Sequence, residues 1–341
     1  MSDETHLKYV ADLKPKDRVN GFFRISFIQV KETRGGKPYL DLKLKDKTGE
    51  IPAKVWDYGD EEDLARGDFV AVAGQVELYQ EAPQLVLKKI RRVTEEDRSC
   101  GFEEARFEER TAYDVEGMWS EIVGIGETLS PPIKDLVLGL LSDHREAFRR
   151  APAAQYHHHP FVGGLLEHTL SVTRTCIYLA EKYPVRRDLL LAGAILHDIG
   201  KLKELSFEGE TRYTTSGRLI GHIIQGRDIV REKAKEMPDF PEEDLVELEH
   251  LVLSHQGRPE WNSPRVPQTL EALVLHYADD LDAKVQIFER AVERDRGAEP
   301  FTPRHRSLER QIYKTPLLKE LERREEAPSG EEYGLRRAKR P

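Results

Sequence analysis

The sequence predicts a multidomain chain of α and β structure: an N-terminal five-stranded β-barrel, then an all-α domain. Three observations carry this. Residues 19–93 fall into short runs that alternate apolar and polar side chains with a period of two, broken by Gly-containing turns. Beyond residue 110 the apolar residues recur at helical spacing. Leu189–Leu196 is apolar around almost its whole circumference, as suits a helix enclosed by others. These shifts divide the chain into a barrel (1–95), a linker and helical lead-in (96–150), a helical domain (151–300) and a basic, partly disordered tail (301–341).

In the first part, Val19–Val30 is rich in β-branched and aromatic residues, and a turn follows at Gly35-Gly36. Leu40, Leu42 and Leu44 then face one way, and Tyr39, Asp41, Lys43 and Lys45 the other. After Thr48-Gly49 the alternation continues through Ile51, Ala53 and Val55, with Lys54 and Trp56 opposite. A short polar helix is expected over Asp60–Ala65, then strands over Phe69–Glu77 and Gln84–Val93. Five strands with a helix between the third and fourth is the order of an OB-fold barrel. The stretch DLKLKDKTGEIPAKVW (41–56) resembles the second and third strands of the nucleic-acid-binding OB family. That resemblance implies single-strand binding by Tyr39, Lys43, Lys54 and Trp56, through stacking and phosphate contacts. The competing reading is that Trp56 caps the barrel core and the lysines are merely solvated.

The charge-dense run TEEDRSCGFEEARFEER (94–110) reads as a linker. Helices are expected over Tyr113–Leu129 and from Ile133, the second with Ser130 as N-cap and proline in its first turn.

The chain has 341 residues, 34% of them charged, and a net charge of -9, so it is no uniformly basic nucleic-acid binder. Any polyanion site must be a local patch or use a metal. Two distant cysteines, Cys100 and Cys176, argue against a disulfide framework and fit a reducing cytoplasm. The N-terminus has no signal-peptide pattern, and no apolar run is long enough to span a membrane.

The chemistry concentrates in the helical domain. The apolar helix from Leu189 ends on His197 and Asp198, with Gly200 as its expected stop and Lys201 beyond. An imidazole and a carboxylate at the end of a buried helix cost desolvation energy, which a divalent cation offsets. Nitrogen and oxygen donors together suit Zn, Mn, Fe, Co or Ni better than Ca. Upstream, HHHPFVGGLLEHTLSV places His168 on a helix; downstream, GRLIGHIIQG and LVLSHQG place His222 and His255. LEALVLHYADDLDAK is apolar enough to be buried yet carries Asp279, Asp280 and Asp282, and carboxylates in such a helix usually serve a charge.

The order H…HD…H…H…D on successive helices resembles the HD-domain metal-dependent phosphohydrolases over residues 155–285. The resemblance implies that His168, His197, Asp198 and Asp279 are metal ligands. It adds His222 and His255 as ligands for a second ion bridged by Asp198, and makes Lys201 a phosphate contact. Asp280 is the rival to Asp279, which follows Ala278 as the family pattern has it, and Asp282 reads as support. His157, His158, His159, His250 and His276 stay outside the set, though His158 or His159 could reach a phosphate. Gln256 departs from many two-metal relatives, which have a second histidine there, and so bears on the metal count.

Two cations suit attack on a phosphodiester by a water of lowered pKa, with Asp198 and Lys201 as the catalytic residues. The chain has no Walker-type or G-x-G-x-x-G loop. An OB barrel ahead of AILHDIGK and the other motifs closely resembles the YhaM-type 3′-5′ exoribonucleases of bacteria over residues 15–315. That implies release of nucleoside 5′-monophosphates from single-stranded RNA, and DNA as a second substrate. Mn or Co would be favoured, with Fe, Ni, Zn or Mg as alternatives, and a ring-like homo-oligomer would suit processive action. Two alternatives remain: a hydrolase of free nucleotides or cyclic dinucleotides, and a single-strand-binding protein with an idle HD domain. The basic end GLRRAKRP could add phosphate contacts.

Overall fold

The computed structural model describes residues 8–314 except 34, 57–62, 81, 156–158, 208–210, 296 and 298. The chain divides into two compact units, Met1–Glu109 and Arg110–Pro341.

In the first unit β1 (Arg18–Glu32), β2 (Pro38–Asp46), β3 (Gly49–Val55), β4 (Phe69–Tyr79) and β5 (Ala82–Arg92) close into a barrel of order β1-β2-β3-β5-β4. Every pairing is antiparallel except β3–β5. This is the expected OB-type barrel. Its register places Leu42 opposite Ala53 and Leu44 opposite Ile51, and all four side chains point into the barrel core with Val70, Val72, Leu85 and Leu87. Of the helix expected over Asp60–Ala65, residues 60–62 lie outside the described residues and 63–65 have no regular structure.

The segment expected as a linker from residue 96 folds in part onto the barrel. Phe102 and Phe107 are buried and pack with Phe22 and Phe69 in one aromatic cluster, with ring centroids 5.1–5.8 Å apart. Asp97 is buried beneath them in sequence, receiving two hydrogen bonds from Arg91 at 2.6 and 2.7 Å and one from the Thr94 N–H at 2.8 Å. Two phenylalanines in a highly charged run give little periodic signal, yet they pack this segment against Phe22 of β1 and Phe69 of β4.

The second unit is helical: α1 (Val115–Glu127), α2 (Ile133–Asp143), α3 (Arg145–Arg150), α4 (Gly164–Lys182), α5 (Arg187–Leu196), α6 (Lys201–Glu204), α7 (Thr215–Ile220), α8 (His222–Lys235), α9 (Glu242–Ser254) and α10 (Leu270–Arg294). A two-stranded hairpin, Leu205–Ser206 with Arg212–Tyr213, follows α6. Every residue from Leu189 to Leu196 is buried, and α5 packs against α1, α2, α4, α9 and α10. Ser130 does not cap α2 as expected; Pro132 takes that position, and the Ser130 N–H donates to Asp188 instead.

Gly200 is not a helix stop either. Helix α5 has already ended at Leu196, and Gly200 has ordinary right-handed helical angles, φ -64°. Its small size serves packing: a Cβ there would lie 1.9 Å from the His222 carbonyl oxygen and 2.5 Å from the Gly226 nitrogen. Beyond α10, Leu308 and Ile312 fold back on Val292 to make a small separate core. Residues 315–341, with the basic end, lie outside the described residues. Among the described residues no helix is long and apolar enough to cross a membrane.

Two stability measurements follow. Hydrogen bonds from Arg91, joined by the Thr94 N–H, outweigh burial and hold the Asp97 carboxyl well below the usual carboxylate range. A lowered folded-state pKa stabilises above the unfolded value of about 3.9 and loses that contribution as pH falls further. Asp97→Asn should therefore cost about 1–2 kcal/mol near neutral pH, with Arg91 partly exposed, and the gap to wild type should close below about pH 4 in denaturant titrations. Gly200→Ala should lower the thermal midpoint by several degrees, since forced overpacking costs about 1–3 kcal/mol.

Candidate metal centre

Five separate stretches of the helical unit deliver their polar side chains to one buried place. His168 lies in the second turn of α4, and His197 and Asp198 directly follow the buried α5. His222 opens α8, His255 follows the last residue of α9, and Asp279 projects from α10. His168, His197, Asp198 and His255 are at most 2% exposed. His168 Nε2 lies 3.3 Å from His197 Nε2, 3.5 Å from Asp198 Oδ2 and 3.2 Å from Asp279 Oδ1. On the other side of Asp198, Oδ1 is 3.5 Å from His222 Nε2 and 3.7 Å from His255 Nε2. Two triads result, His168–His197–Asp198 and Asp198–His222–His255, and they share Asp198.

The four imidazoles are oriented alike. His197 Nδ1 donates to the Ala194 carbonyl and His255 Nδ1 to the Val252 carbonyl, each at 2.8 Å. Carboxylates do the same for the other two: Asp282 Oδ2 is 2.7 Å from His168 Nδ1, and Glu204 Oε1 is 3.0 Å from His222 Nδ1. With Nδ1 committed to an acceptor, Nε2 is the nitrogen that points inward, and it can ligate a metal once the metal displaces any proton it carries. Asp282 is itself held by Ser171 and by His159 Nε2 at 3.2 Å.

The electrostatics call for a cation. Burial resists ionisation of Asp198, yet Lys201, 2.6 Å away, and His197 hold its carboxyl well below the usual range. Burial likewise opposes ionisation of Asp279, and His168 and His197 overcome it. Burial would lower His168, but hydrogen bonds with Asp279 and Asp282 raise it to about 10, whereas burial and His197 push His255 down to about 4. Asp198 Oδ1 is buried with no hydrogen-bond partner among the described residues, which is costly unless a cation meets it. Imidazole nitrogens and carboxylate oxygens around that atom fit a divalent first-row metal.

Other sequence candidates fall elsewhere. Asp280 turns from the cluster to pair with Lys284. Gln256 Nε2 sits 3.5 Å from His222 Nε2. His159 is buried against Asp282 and Glu167, so it braces the site; His157 and His158 lie outside the described residues. His250 accepts from the Gln268 N–H, and His276 donates to the His255 carbonyl. Glu204, which orients His222, had no sequence signal: it is one glutamate in a short polar turn.

On the barrel, Tyr39 and Trp56 stack at 4.9 Å between centroids, and Lys54 lies 5.0 Å over the Tyr39 ring. Trp56 is 45% exposed and does not cap the core. Lys54 also pairs with Asp41 at 2.6 Å, and Lys43, further along the same face, pairs with Glu50 at 2.9 Å. The structure thus groups Tyr39, Lys54 and Trp56 and sets Lys43 apart from them.

The fold and cluster define a class: a helical HD domain, with a His/Asp site suited to a divalent metal, following an OB-type barrel. The HD domain family matches residues 165–284, and the OB-fold nucleic acid binding domain matches residues 24–93. The chain is 40% identical to the 3′-5′ exoribonuclease YhaM of Bacillus subtilis, over 83% of this chain and 90% of that one. It is 37% identical to YhaM of a Geobacillus species (89% and 93%) and 35% identical to YhaM of Listeria welshimeri (91% and 99%). The chain belongs to the YhaM family of 3′-5′ exoribonucleases.

Because Asp282 holds the His168 ring from behind, Asp282→Asn should weaken metal binding about 10–100-fold, read by competition with a chromophoric chelator. Unchanged affinity would mean that His168 needs no such brace.

Proposed function

We propose that the chain is a metal-dependent exonuclease that removes nucleoside 5′-monophosphates from the 3′ end of single-stranded RNA, and of single-stranded DNA as a second substrate. The observation that carries this is the pair of ligand triads sharing Asp198 in a member of an exoribonuclease family. In this reading His168, His197, Asp198 and Asp279 hold one cation, and Asp198, His222 and His255 hold a second. Membership of the family favours Mn or Co, and the mixed imidazole and carboxylate donors are compatible with either.

A divalent metal at this place supplies positive charge that offsets the phosphate and brings the pKa of a water towards neutral. The side chains do the remainder. Asp198 offers one carboxylate oxygen to each triad and fixes their separation. Lys201, buried and 2.6 Å from Asp198, sets an ammonium where a non-bridging phosphate oxygen would dock. Asp282 and Glu204 keep the Nε2 lone pairs aimed inward, so no rearrangement is needed when substrate arrives. The barrel grips the strand upstream, with Tyr39 and Trp56 stacking on bases and Lys43 and Lys54 exchanging carboxylate partners for phosphate. Two unpaired cysteines, one exposed and one buried, fit a cytoplasmic enzyme, and a homo-oligomer would keep a strand engaged between cuts.

A time course on 5′-labelled single-stranded RNA and DNA, with Mn, Co, Mg or Zn added, tests the reading. A ladder shortening from the 3′ end is expected, strongest with Mn or Co, with free deoxynucleoside triphosphates and cyclic dinucleotides untouched. His197→Ala and Asp198→Ala should each lose at least about 100-fold in rate. Intact activity in both variants, or product arising only from the 5′ end, would overturn it.

A further inference from the structure

An open pocket of about 140 Å³ adjoins the metal centre, lined by Asp198, Lys201 and Asp279 on one side and by Trp261 and His276 on the other. The indole is 40% exposed, although tryptophan gains most from burial. It is not on a loose loop. The Trp261 backbone amide donates to the Arg258 carbonyl at 3.0 Å, and Ser263, which is buried, donates its hydroxyl to the Arg265 carbonyl at 2.7 Å. Gly257 lets this loop lie flat on His276: its φ is +78°, and a Cβ would fall 2.3 Å from the imidazole ring. His276 in turn donates to the carbonyl of His255 at 2.8 Å. The indole is therefore positioned by the same backbone that presents His255 to the centre.

Cations flank the ring. The Arg258 guanidinium lies over the indole, 5.0 Å from its centroid, and the Lys284 ammonium 5.5 Å from it, the latter also paired with Asp280 on the pocket wall. A preorganised aromatic face with positive charge beside it, sharing a pocket with a phosphodiester-cleaving centre, matches the chemistry of a nucleobase with its attached phosphate.

We infer that Trp261 is the platform on which the 3′-terminal base stacks while its linkage is cleaved, with Arg258 and Lys284 beside that nucleotide. This rests on the exonuclease reading above and deepens it. The barrel then holds the strand, and Trp261 sets which nucleotide occupies the cleavage position. Because any base has a π-face, the platform selects for the presence of a base and not for its identity.

Two measurements on the full chain test it. The first compares an oligonucleotide with one whose 3′-terminal residue is abasic. Wild type should prefer the intact end, and Trp261→Ala should lose about 10–100-fold in kcat/KM on it, mainly through KM. Trp261→Ala should change little on the abasic end, and Trp261→Phe should restore most of the preference. The second needs no turnover: in a Trp56→Phe background, which removes the exposed barrel indole, titration with adenosine 5′-monophosphate should quench indole fluorescence, and adding Trp261→Phe should lose that quench with metal content unchanged. Equal discrimination by wild type and Trp261→Ala, or a quench that survives Trp261→Phe, would overturn the platform and leave the exonuclease reading standing. If no oligonucleotide is degraded, the exonuclease reading fails, and the titration still decides whether Trp261 stacks on a base.

Discussion

The helical unit is built around the problem of one buried carboxylate. Asp198 sits at the end of a helix enclosed on every side, where an uncompensated negative charge would cost several kcal/mol. Lys201 answers one of its oxygens and four imidazoles surround the rest, yet among the described residues Oδ1 still has no hydrogen-bond partner. A core containing such an atom is unfinished by its own side chains. Binding a cation to that core then couples the stability of the domain to its chemistry.

The ring of ligands depends on what lies behind it. Each histidine spends Nδ1 on an acceptor supplied by its own helix or by a neighbour, so the inward nitrogen is selected by the fold. Helix ends are the natural sources of such acceptors. His197 and His255 each follow a helix and bond the carbonyl three residues earlier, which the helix itself leaves unmatched. Close backbone contact at Gly200 brings the His222 helix within reach of Asp198, and it leaves no room for a larger residue.

The barrel works under a different constraint. The whole chain carries a net charge of -9, and the lysines on the β2–β3 face are already paired with Asp41 and Glu50. The Lys43–Glu50 pair is exposed and contributes little to stability, whereas Lys54–Asp41 is partly buried. Stacking by Tyr39 and Trp56 is then the larger resource of that face, and charge adjusts it.

Much of this was legible in the sequence because it is written in local periods. Alternation in residues 39–55 specifies strands with one buried face, and the unbroken apolar run before His197 specifies an enclosed helix. The ligand candidates stood out because histidine and aspartate are conspicuous in apolar helices. Phe102 and Phe107 were hidden by their charged neighbours, and the role of Gly200 by its likeness to a helix stop. Glu204, His159 and Trp261 carry no periodic mark at all. The sequence by itself determined which segments are strands and helices and which polar groups they bury. Only the tertiary structure decided which nitrogen of each imidazole faces inward, that Asp279 and not Asp280 meets His168, and that an exposed indole borders the pocket. Those depend on the packing angle and rotation of helices far apart in the chain, and local pattern contains no record of either.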